Sequence, residues 1–186
     1  MSMNQNIEQN RMPEVLITNW NIDIIKELVE SEDYRQDLTE ALLNNKLMAS
    51  KDSDQIYEFY TDGSLVDRGK GRDQTKMGAA WLQVTGATPH SIFQSGVHDW
   101  PSSSRAEATA ILTTLLIVPR GKEVIIHTDS QNCIDIFKKI SKADPKIISK
   151  RWLKINNWSI WHNILEVKSK KDIRLNQRKS KLTPET

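Results

Sequence analysis

The sequence predicts a mixed α/β domain with elements in the order β-β-β-α-β-α, and three observations carry that prediction. Between residues 56 and 97 the apolar residues fall in short stretches separated by turn formers. From about residue 104 they recur at helical spacing instead. A densely apolar run at 123–128 then interrupts that spacing and is followed at once by a second helical pattern.

The elements follow in order. Residues 56–61, Ile-Tyr-Glu-Phe-Tyr-Thr, are dense in aromatic and β-branched side chains and read as a strand. Asp62-Gly63-Ser64 is expected to end or bend it, and residues 67–73 form a polar, glycine-punctuated loop. Residues 78–84 and 91–97 supply a second and a third strand, and the short connections predict an antiparallel meander. Ala106, Ala110, Ile111 and Leu115 then share one helical stripe, with Ser102, Ser103 and Ser104 ahead of it as cap candidates. Pro119-Arg120-Gly121 stops that helix. Residues 123–128 make the fourth strand, reached through a helical crossover and apolar enough for burial on both faces. Asp129-Ser130 opens a helix carrying Cys133, Ile134, Ile136, Phe137 and Ile140.

The flanks carry weaker patterns. Residues 22–48 contain Ile24, Ile25, Leu28, Leu38, Ala41, Leu42 and Leu43 and suggest one or two short helices. A polar break at 51–54 separates residues 1–53 as a partly helical leader or linker, or a helical addition packed on the domain. Residues 145–166 form an amphipathic helical pattern with Trp152, Trp158 and Trp161 among lysines, broken near Asn156-Asn157. The domain is thus expected to span 54–166. Residues 167–186 are nearly all polar and basic, and the expectation there is a disordered tail.

Bulk properties narrow the function classes. No run approaches the roughly 18 apolar residues of a membrane helix, and the first ten residues lack a secretory signal's apolar segment. A single cysteine, Cys133, leaves no partner for an internal disulfide, and an intracellular setting (cytoplasm or nucleus) is expected. The net charge of +2 conceals an asymmetry: residues 138–186 hold 14 Lys/Arg against 4 Asp/Glu, whereas residues 1–137 hold 12 against 20. A basic end attracts polyanions through counterion release, though a solvated basic face has the same composition.

Three acidic residues stand out, and each has an ordinary explanation. Asp62 precedes Gly63, a common turn pair. Glu107 follows Ser104 by three positions, which fits a capping box. Asp129 precedes a helix and can serve as its N-cap. Their positions suggest a second role. If the first and fourth strands are adjacent and parallel, the ends carrying Asp62 and Asp129 lie about 5 Å apart. Glu107, in the first turn of the crossover helix, would overhang the same edge. Three converging carboxylates repel unless cations balance them, and hard oxygen donors suit Mg²⁺ or Mn²⁺.

Tyr60-Thr61-Asp62-Gly63-Ser64, Arg105-Ala106-Glu107 and His127-Thr128-Asp129-Ser130-Gln131 resemble, in order and spacing, the first three motifs of the type 1 ribonuclease H (RNase H) family. The resemblance covers about residues 56–141. It implies an RNase H-like mixed sheet flanked by helices and Mg²⁺-dependent (Mn²⁺ as a substitute) endonucleolytic cleavage of the RNA strand of RNA/DNA hybrids. It makes Asp62, Glu107 and Asp129 catalytic metal ligands, with Asp62 bridging two ions, and makes Gly63, Ser64, Ser130 and Gln131 contacts to the RNA strand. Ser103-Ser104 stand where many members carry Asn, so Ser104 is a further nucleic-acid contact. The family's fifth strand, and its last helix with a fourth carboxylate, find no counterpart in the sequence pattern. Two other readings stay open: a hybrid-binding module that does not cleave, and a truncated retroelement-type remnant.

Overall fold

In a computed structural model, the described residues are 31–66, 75–85, 91–97, 100–142, 150 and 152–180, with Asp23. Their elements are α1 (Glu32–Ala49), β1 (Ile56–Val66), β2 (Lys76–Gln83), β3 (Ile92–Val97), α2 (Ser103–Ile117), β4 (Glu123–Thr128) and α3 (Gln131–Ile140). A short 3₁₀ turn (Trp152–Lys154), α4 (Trp158–Lys170) and β5 (Arg174–Lys179) follow. The strands form one sheet in the order β3-β2-β1-β4-β5. β1, β2 and β3 pair antiparallel, as the turn-rich connections predict, while β1–β4 and β4–β5 pair parallel. The fold is therefore the expected RNase H-like mixed sheet, with five strands.

Alternation along the strands assigns the faces. Tyr57, Phe59 and Thr61 of β1, Ala79 and Trp81 of β2, and Val124, Ile126 and Thr128 of β4 are buried. Of these, Tyr57, Phe59, Trp81, Val124 and Ile126 form one core with Ala108, Ile111 and Leu115 of α2, Phe137 and Ile140 of α3, and Trp161 and Ile164 of α4. The other face carries the intervening residues. Across it the register lines up Ile92, Leu82, Tyr60, His127 and Arg178 in one row, and Ile92 is 68% exposed. Of β4, only one face is fully buried; Ile125 and His127 are half-buried.

The expected absence of a fifth strand is wrong, and so is the disorder expected of the tail over residues 167–180; residues 181–186 lie outside the described residues. α4 continues to Lys170, and β5 adds to the edge of the sheet within the basic stretch. A single inward side chain, Leu175, is buried in β5, between outward Arg174 and Asn176. One buried position in six gives no readable alternation, and charge along the strand suits an edge that must resist pairing with other chains. Lys171 anchors the turn before it. Its Nζ donates to the carbonyls of Leu115, Leu116 and Val118 at the C-terminal end of α2, a position that favours a cation. Burial, with Lys46 adding repulsion, pushes its amine down to about 7. Among the described residues no helix follows β5.

The break predicted near Asn156-Asn157 is present: Asn157 precedes α4 in the left-handed region, at φ 59°. Ile147 and Ile148 of that pattern lie outside the described residues, as do Ile24, Ile25 and Leu28 of the leader. Trp161 is fully buried, whereas Trp158 stacks on Trp152 at 6.0 Å, both packed against the core.

Of the leader's two possible roles, α1 takes the second. It packs on the domain, with Leu38 and Leu42 buried to within 1% of full enclosure. Its buried Asn45 ties three elements together. The Asn45 amide donates to Gln83 Oε1 and to the Ile117 carbonyl, while Gln83 Nε2 donates back to Asn45 Oδ1 at 2.8 Å. Tyr57 Oη donates to the Asn45 carbonyl. Burying two leucines stabilises by about 3–6 kcal/mol, and loss of α1 would also remove the Asn45 partners of Gln83 Oε1 and Tyr57 Oη. Deleting residues 1–50 should therefore lower the melting temperature by roughly 10 °C or more. Differential scanning calorimetry checks this, and unchanged melting would refute it.

Candidate active site

The register of β1 on β4 builds the site. Tyr60 pairs with His127 and Thr61 with Thr128, so the next residues, Asp62 and Asp129, leave neighbouring parallel strands at the same level. Glu107 enters from α2, and oxygens of the three carboxylates lie within 4.8 Å of one another. Among the described residues this is the one such acidic cluster with metal-binding spacing. Asp62 and Asp129 are exposed, whereas Glu107 is 6% exposed.

None of the ordinary roles for these acids is used. β1 does not turn at Asp62-Gly63 but runs on to Val66, with Asp62 paired to Ala80 of β2. The N-cap of α2 is Ser102, whose side chain accepts from the Arg105 amide, so Glu107 stands beyond the capping-box position. Ser130, not Asp129, caps α3, by accepting from the Cys133 amide at 3.3 Å. Serines take the capping work, and all three carboxylates are left for the shared cluster.

Gly63 lets α2 approach. A Cβ at this position would sit 2.4 Å from the Glu107 amide nitrogen and 2.7 Å from the Ala106 carbonyl carbon. Both are rigid backbone atoms, so only glycine fits. The Gly63 amide also donates to the Glu107 carboxylate, and Thr128 Oγ1 lies 3.5 Å from Glu107 Oε2. Burial is the main cause that pushes the Glu107 carboxyl up to about 7. Asp129 and Asp62 push in the same direction, against the pull of the Gly63 and Thr128 donors. Burial, helped by the nearby Glu107 and Asp129, raises the Cys133 thiol to about 11, against the hydrogen bond with Ser130. That thiol is buried, and its raised pKa disfavours the nucleophilic thiolate.

The expected nucleic-acid contacts surround the cluster unevenly. Ser64 lies across from Gly78 of β2. Ser104 Oγ accepts from Asn132 Nδ2 at 3.0 Å, which links the first turns of α2 and α3. Gln131 is exposed and donates to Asp135, while Ser130 is engaged as a cap. Sequence reasoning missed Thr128, which touches Glu107, and the open groove beside the acids. That groove, about 330 Å³ in volume, is lined by Tyr60, Leu82, Ile92, Asp62, Asp129 and Ser180 among others. Strand alternation could have signalled it, since Tyr60, Leu82 and Ile92 all fall on the face away from the helices.

The donor set fits divalent cations: it is all carboxylate, clustered, and partly open to solvent. Its fold is RNase H-like, and comparison with known proteins agrees. The RNase H family model matches residues 54–181, so the chain belongs to the RNase H family. Among curated proteins no match is found. Solved structures that resemble it include the foamy viral protease–reverse transcriptase in complex with dsDNA, at 18% identity and a TM-score of 0.51, covering 70% of this chain and 84% of that one. The PFV RNase H domain is 19% identical (TM-score 0.46, covering 70% and 81%). LC9-RNase H1, a type 1 RNase H with the type 2 active-site motif, is 16% identical (TM-score 0.47, covering 68% and 64%). No helix among the described residues is long and apolar enough to cross a membrane.

The raised Glu107 pKa has a stability consequence. Between its ordinary 4.5 and about 7 the folded state holds a proton that the unfolded state has released, so stability falls as pH rises through this window. Relative to Glu107→Gln, the metal-free protein should lose on the order of 3 kcal/mol between pH 4 and pH 8. Urea unfolding of both proteins across that range checks it; parallel curves would refute the assignment.

Proposed function

We propose that this chain cleaves the RNA strand of RNA/DNA hybrids endonucleolytically, at a divalent-metal site formed by Asp62, Glu107 and Asp129. The convergence of their oxygens within 4.8 Å carries this reading. Mg²⁺, or Mn²⁺ in its place, bound as a pair would polarise the phosphoryl oxygen and lower the pKa of an attacking water. Asp62 has the central place, since it lies between β2 and β4 with its carboxylate exposed, and so is suited to bridge two ions. Asp129 opposes it from the neighbouring strand. Glu107, protonated below about pH 7 without metal, must release that proton to become a ligand, so affinity rises with pH.

The RNA strand would run over the first turns of α2 and α3. Ser104 and Gln131, with Gly63, Ser64 and Ser130 beside the acids, would offer hydrogen bonds to phosphate and 2′-hydroxyl groups, the latter distinguishing RNA from DNA. The exposed basic residues Arg174, Arg178 and Lys179 of β5 supply positive charge on one flank. A hybrid-binding module without cleavage is the second reading. It is favoured by the cluster's three carboxylates among the described residues.

A labelled RNA/DNA hybrid with Mg²⁺, resolved on a gel, separates them. The wild type should cut the RNA strand, and Asp62→Asn should cut it at least about a hundredfold more slowly, because outer-shell changes alone cost 10–100-fold. Hybrid binding with no cleavage by the wild type would establish the module instead.

A further inference from the structure

Thr128 is the last residue of β4 and has no exposed surface. Its Oγ1 accepts a hydrogen bond from the Ser130 amide at 3.2 Å and lies 3.5 Å from Glu107 Oε2. A hydroxyl has one proton and can accept at its lone pairs. With the Ser130 amide as donor, that proton is left for Glu107. The Thr128 carbonyl accepts from the Ser180 amide at 2.8 Å, which fixes the backbone from the β5 side. Thr128 thus touches the acid from α2 and the turn that bears Asp129 through one atom.

We propose that Thr128 is a positioning residue, whose hydroxyl holds the Glu107 carboxylate in register with the Asp129–Ser130 turn so that the two acids can share a divalent cation. This rests on the metal-site reading above. A long contact of 3.5 Å suits this role, because such bonds are often loose before a ligand binds and tighten afterwards. Groups that orient metal ligands commonly set affinity by about 10–100-fold. Thr61 supplies an internal comparison. It pairs with Thr128 across the strands and is similarly buried, but its hydroxyl donates to the His127 carbonyl rather than to a carboxylate.

Mn²⁺ affinity, measured by isothermal titration calorimetry on the full chain alongside melting of the metal-free protein, tests the proposal. Thr128→Val should weaken Mn²⁺ binding by roughly tenfold or more, while Thr128→Ser stays within about threefold of wild type. Thr61→Val should lower the melting temperature without that loss of affinity. Thr128→Ala removes the same hydroxyl and carries the comparison if the valine variant does not fold. Wild-type affinity in the Thr128 variants, or an equal loss in Thr61→Val, overturns the positioning role. A wild type that binds no Mn²⁺ overturns the metal site itself, and this proposal with it.

Discussion

The parallel pairing of β1 with β4 is the constraint on which the site depends. Each strand brings one aspartate, and neither is a metal ligand candidate alone. In register, Thr61 opposite Thr128 places Asp62 and Asp129 at one level on adjacent strands. A slip of one residue would turn one of them to the helix-covered face. The alternation that buries Tyr57, Phe59, Val124 and Ile126 forbids that slip. Apolar burial on one face thereby fixes the acids of the other.

The third acid arrives by a different route. α2 lies against β1 because Gly63 has no side chain to hold it off, and Glu107 is carried inward with the helix. Its burial raises its proton affinity, and Asp62 and Asp129 raise it further. The cluster thus sets two exposed carboxylates beside one buried acid whose charged form burial disfavours. Gly63 and Thr128 offset part of that cost, and a divalent ion would offset the remainder. Structure and electrostatics here favour the same ligand chemistry.

Much of this was legible in the sequence. The apolar run at 123–128 marked β4 to the residue, and Ser102 to Ser104 marked the start of α2. β5 was hidden because its stability comes from pairing with β4 and from Lys171 gripping the end of α2, neither of which leaves an apolar pattern in Arg174–Lys179. The role of α1 was hidden for a related reason. Its tie to the sheet runs through a buried polar residue, Asn45, whose partners Gln83 and Ile117 are 38 and 72 residues away.

By itself, the sequence determined the order of elements from β1 to α3, the residues able to bind a hard cation, and the motifs that place the chain in its family. Only the tertiary structure decided whether Asp62, Glu107 and Asp129 act locally as turn and cap residues or jointly as a cluster. Local pattern allows both, since an aspartate before a helix looks the same whether it caps or coordinates. The distinction lies in which serine caps each helix, how closely α2 approaches Gly63, and how β1 registers on β4. Those are set by contacts between residues far apart in the chain, which no short window of sequence contains.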